Sequence, residues 1–545
     1  MNLNYYFKTW GIKTCFYKLR RAIPFISFAI LVLLPGLTNA QPRQIIINPS
    51  VTCQKIEYFT ASDAWSGNFV GKYWNKLQKD QIAQWLFSSK LDKTGNPEGI
   101  GLSMWRVNLG AGTLEQDSAD IVPYQRRAES FMARDGQSYD WNKCLGQQYF
   151  MQKAVDYGCN NFLLFSNSPL VQYTKNGKGW SYSGKFANIK PDCYGQYADY
   201  MANVARYFIT KKSWNIAYIS PINEPQTFWG DSRQEGSQWK SSEMKKMYVE
   251  LDKSLAKKGL DNVRIFVGET CTLSNLYDKT GSNTVCSKED EPELQISTFF
   301  NPKSPCFIGN LKSVPKIISG HDYGTHLNNQ VLKEIRKKLK AEADKYGVSF
   351  HESEWCLLPG IKEQMDGFTP DWEHGNYSGI QPALLLGRLV YGDIVYANSH
   401  AWGYWKGMEI NGDHALIALY PKDGKIENGG NIRSNKMLWA LGNYSFFIRP
   451  GYTRVELQGA DDLNSLVASA YLAPDKSQLV IVYVNSSFDK IEVHVTLPKD
   501  YAHKVKKLSA YRTDESSDLT NMYIPEKAGG YIIPPRSLVT MVFDL

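Results

Sequence analysis

Two glutamates of this sequence directly follow buried, strand-like runs. Glu224 lies in the segment SPINEP (220–225), after the apolar run IAYI (216–219), and Glu354 ends the run VSFHESE (348–354). Carboxylates at the carboxyl ends of parallel strands meet at one face of an α/β barrel, where such folds keep their chemistry. A pair of carboxyls there has the chemistry to break a glycosidic bond, because one protonates the leaving oxygen while the other attacks the anomeric carbon or activates a water.

Two further acids compete for these roles. Glu352 shares strand parity with Glu354, so both are expected to point the same way, with Glu352 deeper in the barrel. Glu269 follows the run RIFVG (264–268), and it is either a rival acid or an ion-paired residue of the barrel wall. Because Glu354 is nearer the carboxyl end of its strand, we predict that Glu224 and Glu354 form the pair.

The elements that would position these acids repeat as short apolar strand, loop and amphipathic helix. This alternation predicts a (β/α)8 TIM barrel, of the α/β class, over residues 56–430. Strands four and seven face each other across the open end of such a barrel, so their acids can converge on one bond. The eight predicted strands are Ile56–Ser62, Gly101–Leu109, Asn161–Ser166, Ile216–Pro221, Arg264–Glu269, Lys316–Tyr323, Val348–Glu354 and Ser399–Tyr404.

Past residue 430 the sequence pattern predicts strands without intervening helices. Leu479–Asn485 is a buried run, residues 491–497 alternate between apolar and polar, and Leu538–Phe543 is a last apolar run. These patterns predict a C-terminal antiparallel β-sandwich over 431–545, completed by a lone N-terminal strand within 41–55. No Pro/Ser-rich linker separates the sandwich from the barrel, so we expect the two to pack in a fixed arrangement.

The first forty residues have the pattern of an export signal. A region with five Lys and Arg residues precedes the apolar run 22–37 and the small-residue exit Thr38-Asn39-Ala40. This pattern predicts a cleaved signal peptide at 1–40 and a periplasmic or extracellular protein. The apolar run is short for a membrane span, although an uncleaved anchor stays as the alternative.

Charge and composition exclude several classes of partner. The first forty residues hold five basic and no acidic residues, so without them the formal charge falls from +8 to +3 and favours neither nucleic acid nor a membrane surface. The nine cysteines include no CxxC pair and the histidines show no metal-ligand spacing. We therefore expect no metal, no cofactor and a monomer.

At the segments named above the sequence resembles glycoside hydrolase family 30, over nearly the whole chain after residue 40. GLSMWRVN (101–108) is similar to that family's second strand, SPINEP with QEG (234–236) to its acid/base segment, and SEWC (353–356) to its nucleophile segment. FIRPG (447–451) is similar to the start of its sandwich. FSNSP (165–169) and KNG (175–177) most resemble the endo-β-1,6-galactanase branch, and the Trp that the glucosylceramidase and xylanase branches usually carry near this strand end is absent.

The resemblance implies a retaining mechanism on β-1,6-linked galactan, such as the side chains of arabinogalactan. Glu354 would attack to form a glycosyl-enzyme, while Glu224 would protonate the leaving oxygen and later activate water. Arg106 would hold Glu354 ionised, with a surface or interdomain ion pair as the alternative. Asn223 would hydrogen-bond the 2-hydroxyl of the bound sugar, or else cap a turn.

Other polar and aromatic residues near the strand ends are candidates for binding the sugar. His321 and Tyr323 would orient the nucleophile or bind a hydroxyl, and a purely structural His321 is equally open. Trp402 and Trp405 have opposite parity, so one of them should form the floor of the pocket, and we favour Trp402. Each ring is otherwise core or loop packing. The candidates of this group are Asn108, Asn167, Trp229, His321, Tyr323 and Trp402.

Three alternative functions stay open at this point. The same retaining chemistry would serve another β-linked glycan, such as β-1,6-glucan, xylan or a glucosylceramide-like glucoside. A carbohydrate-binding barrel that has lost catalysis is the second, although the presence of both carboxylates and Arg106 argues against it. The third is an unrelated reaction on the same fold; carboxylates about 5–5.5 Å apart would weigh against it.

Overall fold

The computed structural model describes residues 41–116, 121–181, 186–230, 233–279, 292–358, 365–368, 377–523 and 530–545. The predicted signal peptide, residues 1–40, lies outside the described residues. Within the described ranges, none of the helices combines the length and the apolar character that crossing a membrane requires.

Eight parallel strands close into a barrel, which confirms the predicted fold class. The barrel strands are β2 (Tyr58–Ala61), β3 (Trp105–Asn108), β4 (Phe162–Phe165), β5 (Ile216–Ser220), β6 (Arg264–Ile265), β7 (Ile317–His321), β8 (Ser349–Trp355) and β9 (Ala401–Tyr404). All eight lie inside or across the predicted runs. Two four-stranded sheets, β2-β9-β8-β7 and β3-β4-β5-β6, are joined by the parallel bridges Ser62 to Arg106 and Thr270 to Gly320.

Side chains fill the barrel at its amino end, so it is a packed core and not a pore. The Tyr58 ring packs edge-on against His351, and its hydroxyl lies 2.9 Å from His351 Nδ1. Tyr218 and Phe266 complete this aromatic layer. The carboxyl ends of the strands, which we call the mouth, are the face at which such barrels keep their functional sites.

The helices cover the outside of the barrel through their apolar faces. They are α1 (Ser66–Tyr73), α2 (Lys76–Phe87), α3 (Leu145–Asp156), α4 (Tyr194–Lys212), α5 (Ser241–Lys257), α6 (Gln295–Phe300), α7 (Asn329–Tyr346), α8 (Ile380–Val395) and α9 (Lys436–Ser445). In α5 the buried residues Met244, Met247 and Leu251 recur at helical spacing. At the start of α7 the Asn328 side chain accepts from two backbone N–H groups, and Gly347 ends the helix at a φ of 63°.

A nine-stranded sheet forms the second domain. Its strands are β1 (Arg43–Lys55), β13 (Thr453–Gln458), β14 (Leu466–Leu472), β15 (Gln478–Asn485), β16 (Ile491–Thr496), β17 (Lys507–Thr513), β18 (Thr520–Met522), β19 (Gly530–Ile533) and β20 (Ser537–Asp544); the short helix α10 (Lys499–Ala502) lies between β16 and β17. The order is β18-β17-β20-β15-β14-β13-β1-β16-β19, and every neighbouring pair is antiparallel except β1 with β16. Strands from both ends of this order share one apolar core, so the sheet folds over into a sandwich.

The outer face of the sandwich packs on the barrel. Val480, Val482 and Leu538 are buried in the same cluster as the barrel residues, and Thr540 Oγ1 donates to the backbone carbonyl of Asn443 on α9 at 2.7 Å. β14, β15 and β20 therefore bury both faces, which explains why their sequences are nearly continuous apolar runs.

The region after residue 430 differs from the sequence-based prediction of strands alone. Helix α9 lies within 436–445 and packs against α8 as the last helix of the barrel. A small sheet precedes it, made of β10 (Met408–Ile410), β11 (Ile417–Pro421) and β12 (Gly430–Ser434). The α9 segment KMLWALGNYS is apolar on nearly every side because barrel and sandwich both cover it, and this hides its helical period.

Candidate active site

Glu224 and Glu354 meet in the mouth of the barrel. Glu224 follows β5, Glu354 lies near the end of β8, and His321 ends β7. One ligand atom from each of these three side chains lies within 4.8 Å of the other two. The structure thus brings together the two acids that the sequence predicts as the pair.

Arg106 joins this group from β3 and is fully buried. Its Nη1 donates to Glu354 Oε2 at 2.6 Å, and its Nη2 donates to Glu269 Oε2 at 2.5 Å and to Asn223 Oδ1 at 3.1 Å. The guanidinium lies 3.8 Å from the centroid of the Phe165 ring. A planar fork of donors is suited to bridging two carboxylates in this way, and a lysine could not reproduce it.

His321 connects three carboxylates at once. Its Nδ1 lies 2.9 Å from Glu224 Oε1 and 3.4 Å from Glu354 Oε1, and its Nε2 lies 3.3 Å from Glu269 Oε2. Burial alone would lower the pKa of His321, but the charge of Glu354 and the hydrogen bonds to Glu224 and Glu269 outweigh it and raise the pKa to about 10. The ring is therefore an imidazolium at neutral pH and donates from both nitrogens.

The cations of the site determine which acids are ionised. Burial pushes the pKa of Glu269 upward, but Arg106 and His321 overcome this and lower the pKa to about 2. Burial also raises the pKa of Glu354, where the charges of His321 and Arg106 oppose it. Of the two roles that the sequence leaves open for Glu269, the structure therefore supports the ion-paired residue of the barrel wall. Glu354 depends on Arg106 and His321 to become charged.

Hydrogen bonds orient both acids within the mouth. The Tyr323 hydroxyl donates to Glu354 Oε1 at 3.0 Å, and Thr227 Oγ1 donates to Glu224 Oε2 at 3.0 Å. The Glu224 backbone N–H donates to the Glu269 carbonyl at 2.8 Å, and both residues have positive φ, 41° and 55°. Non-glycine residues in this region of φ are strained, and such strain is concentrated at functional sites.

A β-bulge in β8 contradicts the predicted orientation of Glu352. Gly320 of β7 pairs with Glu352, but the next residue, His321, pairs with Glu354, so Ser353 is the extra residue of β8. The bulge breaks the two-residue period: Glu354 points into the mouth, while Glu352 points outward to Arg336 on α7 and Asp393 on α8. The expectation that Glu352 lies deeper in the barrel on the same side is therefore wrong.

The choice between the two tryptophans is also corrected. Trp402 pairs with Glu352 across the strands and shares its outward direction; its Nε1 donates to Asp393 Oδ2 at 2.9 Å. The Trp405 ring instead lies 5.5 Å from the guanidinium of Arg106 and packs edge-on against Phe165. Trp405, and not Trp402, therefore contacts the group in the mouth.

The asparagine candidates occupy three different environments. Asn223 accepts from Arg106, as described above. The backbone N–H of Asn108 donates to the buried Asp63 at 2.8 Å, while its Oδ1 has no hydrogen-bond partner among the described residues. Neither polar atom of the buried Asn167 amide has a partner within the same part of the chain. Buried polar groups are rarely left unpaired, so the unpaired atoms of these two amides are the asparagine groups that a ligand hydroxyl would satisfy.

Trp229 lies in the loop after Glu224 and is 2% exposed. A Cβ placed on Gly236 would come within 2.1 Å of the Trp229 ring, so the ring packs closely on that glycine. This contact holds the loop together, and the structure does not place the ring in the group around Arg106.

Sequence reasoning missed Thr227, Phe165 and Asp63. Thr227 follows Glu224 by three residues, and at this spacing a turn after a strand brings the two side chains together. Burial raises the pKa of Asp63 to about 7, against the opposing hydrogen bonds from Asn108 and Gln147. The only signal for Phe165 and Asp63 was their place at the ends of the third and first strands, shared with many structural residues.

The arrangement defines a class of enzyme. Two carboxyls face one cavity at the carboxyl ends of β5 and β8, each is oriented by hydrogen bonds, and two cations compensate the buried negative charge. Placing an acid and a charged carboxylate on either side of one bond is the requirement for glycoside hydrolysis. Fold and site together are those of a barrel glycosidase.

The comparison with protein families agrees with this class. The family model described as O-glycosyl hydrolase family 30 matches residues 42–416. The chain belongs to this family, which confirms the resemblance noted from the sequence, and it is a glycosidase.

Individual relatives span most of the chain. An endo-beta-1,6-galactanase from Hypocrea rufa is 27% identical over 481 residues, covering 83% of this chain and 85% of that protein. A conserved exported protein from Bacteroides fragilis has a crystal structure that is 29% identical, with a TM-score of 0.82, and covers 92% of this chain and 100% of its own. The catalytic domain of family 30 xylanase C from Talaromyces cellulolyticus shares the fold. It is 17% identical, with a TM-score of 0.64, and covers 92% of this chain and 100% of its own.

Proposed function

We propose that this chain is an exported, retaining endo-glycosidase that cleaves β-1,6-linked galactan. The observation that carries the mechanism is the distance between the two acids, whose nearest oxygens lie within 4.8 Å. Retaining glycosidases hold their carboxyls about 5–5.5 Å apart, while inverting enzymes need about 6.5–9.5 Å to admit a water between them.

In the first step Glu354 attacks the anomeric carbon. The bond between that carbon and the leaving oxygen breaks, its electron pair stays on the oxygen, and Glu224 donates the proton that the oxygen takes up. In the second step Glu224, now ionised, removes a proton from a water that attacks the same carbon. Glu354 leaves as a carboxylate, and the sugar keeps its β configuration.

The donors around Glu354 support its role as the nucleophile. Glu354 receives the Arg106 guanidinium and the Tyr323 hydroxyl, both of which stabilise a carboxylate. With Glu269 and Glu354 ionised, the charges of Arg106 and His321 are balanced, so an additional proton on Glu224 leaves the group neutral. Asn223, held by Arg106, is oriented towards the sugar 2-hydroxyl in this proposal.

The substrate proposal rests on sequence similarity. The relative from Hypocrea rufa is named as an endo-beta-1,6-galactanase. The FSNSP segment at the end of β4 carries the buried Asn167, whose amide has no hydrogen-bond partner among the described residues. Export is proposed from the signal-like pattern of residues 1–40. The similar protein from Bacteroides fragilis is likewise described as exported.

Hydrolysis of defined oligosaccharides tests the proposal. Purified enzyme lacking residues 1–40 is incubated with β-1,6-galactan, β-1,6-glucan, xylan and an aryl glucoside, and products are analysed by mass and linkage. We expect galactan fragments of mixed length, with the β anomer formed first in proton NMR. Glu354→Ala should abolish release, whereas Glu334→Ala on the exposed side of α7 should not.

The proposal is rejected if Glu354→Ala hydrolyses galactan as fast as the wild type, or if the α anomer forms first. Cleavage of another glycan in preference to galactan would reject the substrate and leave the mechanism standing. N-terminal sequencing of the protein after expression in a bacterial host tests export, and an intact first residue would contradict it.

A further inference from the structure

A second cluster of charged residues lies behind the site, between the barrel wall and the helices. Arg336 on α7 donates from Nε to Asp393 Oδ1 at 2.8 Å and from Nη2 to Asp322 Oδ2. Glu352 of β8 faces the same space, and all four side chains are fully buried. We call Arg336, Asp322, Asp393 and Glu352 the α7–α8 network. None of them contacts the cavity in which Glu354 and Glu224 meet.

The network holds the backbone of the nucleophile residue from two sides. The Glu354 N–H donates to Glu352 Oε1 at 3.3 Å, and the Asp322 N–H donates to the Glu354 carbonyl at 3.3 Å. Asp322 also lies between His321 and Tyr323, the two residues of the β7 end that contact the Glu354 carboxylate. Movement of the network would therefore move Glu354 and its partners together.

Charge balance indicates that the carboxyls of the network bind protons, since burial raises the pKa of Glu352, Asp322 and Asp393 alike. One guanidinium cannot compensate three buried carboxylates, and burying an uncompensated charge is costly enough that a group takes up a proton instead. Arg336 bonds directly to Asp322 and Asp393, while Glu352 Oε2 has no partner among the described residues. Burial, and then the charges of Asp393 and Asp322, raise the pKa of Glu352 well above its ordinary range, against Arg336.

We propose that the α7–α8 network is a positioning device for the nucleophile: Glu352 accepts the Glu354 N–H from behind the strand, fixes the bulge at Ser353, and so sets where the Glu354 carboxylate stands in the mouth. A regular strand would turn residues 352 and 354 to the same side. The bulge separates them, and the network supplies the polar partners that the displaced Glu352 side chain and the bulged backbone require. This inference rests on the proposed role of Glu354.

Two substitutions at Glu352 separate positioning from ordinary stability. Glu352→Gln is uncharged and retains an acceptor oxygen, so the Glu354 N–H keeps its hydrogen-bond partner. Glu352→Leu removes the acceptor but leaves Arg336 paired with both aspartates. Glu352→Met, which also lacks an acceptor, replaces the leucine variant if that one does not fold. Tyr391→Phe removes a buried hydroxyl on α8 that bonds Asp461, outside the network, and is the matched control.

The measurement is covalent trapping with an activated 2-deoxy-2-fluoro glycoside of the sugar that the wild type cleaves, followed by intact mass. We expect Glu352→Leu to label to full stoichiometry at a rate about tenfold or more below wild type, and Glu352→Gln to restore the rate to within about threefold. The lower trapping rate of Glu352→Leu should persist with aryl leaving groups, which need no protonation. A rate loss caused by a substitution at Glu224 should instead become smaller with such leaving groups.

Two results would overturn the inference: a trapping rate of Glu352→Leu equal to that of Tyr391→Phe, or an unchanged rate with a reduced labelled fraction, which indicates a structural role only. Peptide mapping of the labelled wild type distinguishes a failure of the proposed function from a failure of this inference. A label on a residue other than Glu354 would reject the nucleophile itself, and this inference with it.

Discussion

Replacing Arg106 by methionine tests the electrostatics of the mouth most directly. The guanidinium lies 2.6 Å from Glu354 Oε2 and 2.5 Å from Glu269 Oε2, and all three groups are buried. Two unit charges about 4 Å apart interact by about 4 kcal/mol at an effective dielectric constant of about 20. Removing the guanidinium charge should therefore cost ionised Glu354 up to about 4 kcal/mol and raise its pKa; the cost is smaller if His321 takes over part of the compensation.

The sign of the effect follows from the role of Glu354. In the proposed mechanism Glu354 attacks as a carboxylate, so activity should fall when the pH drops through its pKa. A raised pKa therefore moves the acidic limb of the kcat/KM profile of Arg106→Met to higher pH. Arg106→Lys keeps the charge but cannot bridge Glu354 and Glu269 together, so a smaller shift with a lower plateau is expected.

The assay is kcat/KM against pH with an activated aryl glycoside, because its leaving group needs no protonation and the acidic limb then reports Glu354 alone. Arg264→Met is the matched control: Arg264 lies in β6 near the amino end of the barrel and donates to the Lys312 carbonyl. Since breaking a buried ion pair costs about 3–5 kcal/mol, thermal unfolding is followed in parallel. An acidic limb of Arg106→Met that coincides with the wild-type limb would refute the reasoning.

Two further predictions concern Asn167 and His321. Asn167→Ala should lower kcat/KM at least about tenfold yet change the free energy of unfolding by less than about 1 kcal/mol, because the amide makes no hydrogen bond within the described residues; a large loss of stability in a denaturant titration would show that the amide is structural. His321→Gln tests the raised pKa of His321, which is about 10 in the folded protein against 6.5 for an ordinary histidine. Its stabilisation is fully present below pH 6.5 and is lost as the pH rises towards 10. The difference in unfolding temperature between wild type and His321→Gln should therefore shrink over that window, and a constant difference would contradict the ionised ring.

The barrel was predictable because its strands are fully buried. A strand covered on both faces is a short apolar run with a turn at each end, and eight such runs alternate with helices whose apolar face has a 3.6-residue period. The carboxyl ends of parallel strands lie at one face by necessity. The meeting of Glu224 with Glu354 therefore followed from strand ends, whereas the pairing of Arg106 with Glu354 was expected from the family resemblance.

The misplacement of Glu352 comes from a change of register within β8. Parity arguments assume an unbroken two-residue period, and the extra residue Ser353 is not marked in the sequence by a glycine or a proline. Glu352 was consequently placed in the barrel interior, and the same bulge shifts the pairing of β8 with β9 between Trp402 and Tyr404. Trp402 and Trp405 do point to opposite sides, as their parity predicts, but parity does not decide which of the two faces the mouth, and the wrong one was favoured.

Ion-pair partners could not be read from the sequence either. Glu269 and Arg106 are 0% exposed and bond to each other, but no local pattern distinguishes such a pair from two surface charges. Their proximity depends on the closed order of the barrel strands, which only the assembled fold provides.

The place of β1 has a consequence for the order in which the protein folds. Residues 43–55 lie between β13 and β16, so the first described strand pairs with segments about four hundred residues further along the chain. Chains emerge from the ribosome amino end first, and contacts this distant in sequence form slowly because a long loop must close. The barrel can therefore fold before β1 pairs with β13 and β16. Until β13 and β16 are synthesised, the hydrogen-bonding edges of β1 are open to other chains, which exposes this strand to aggregation during synthesis.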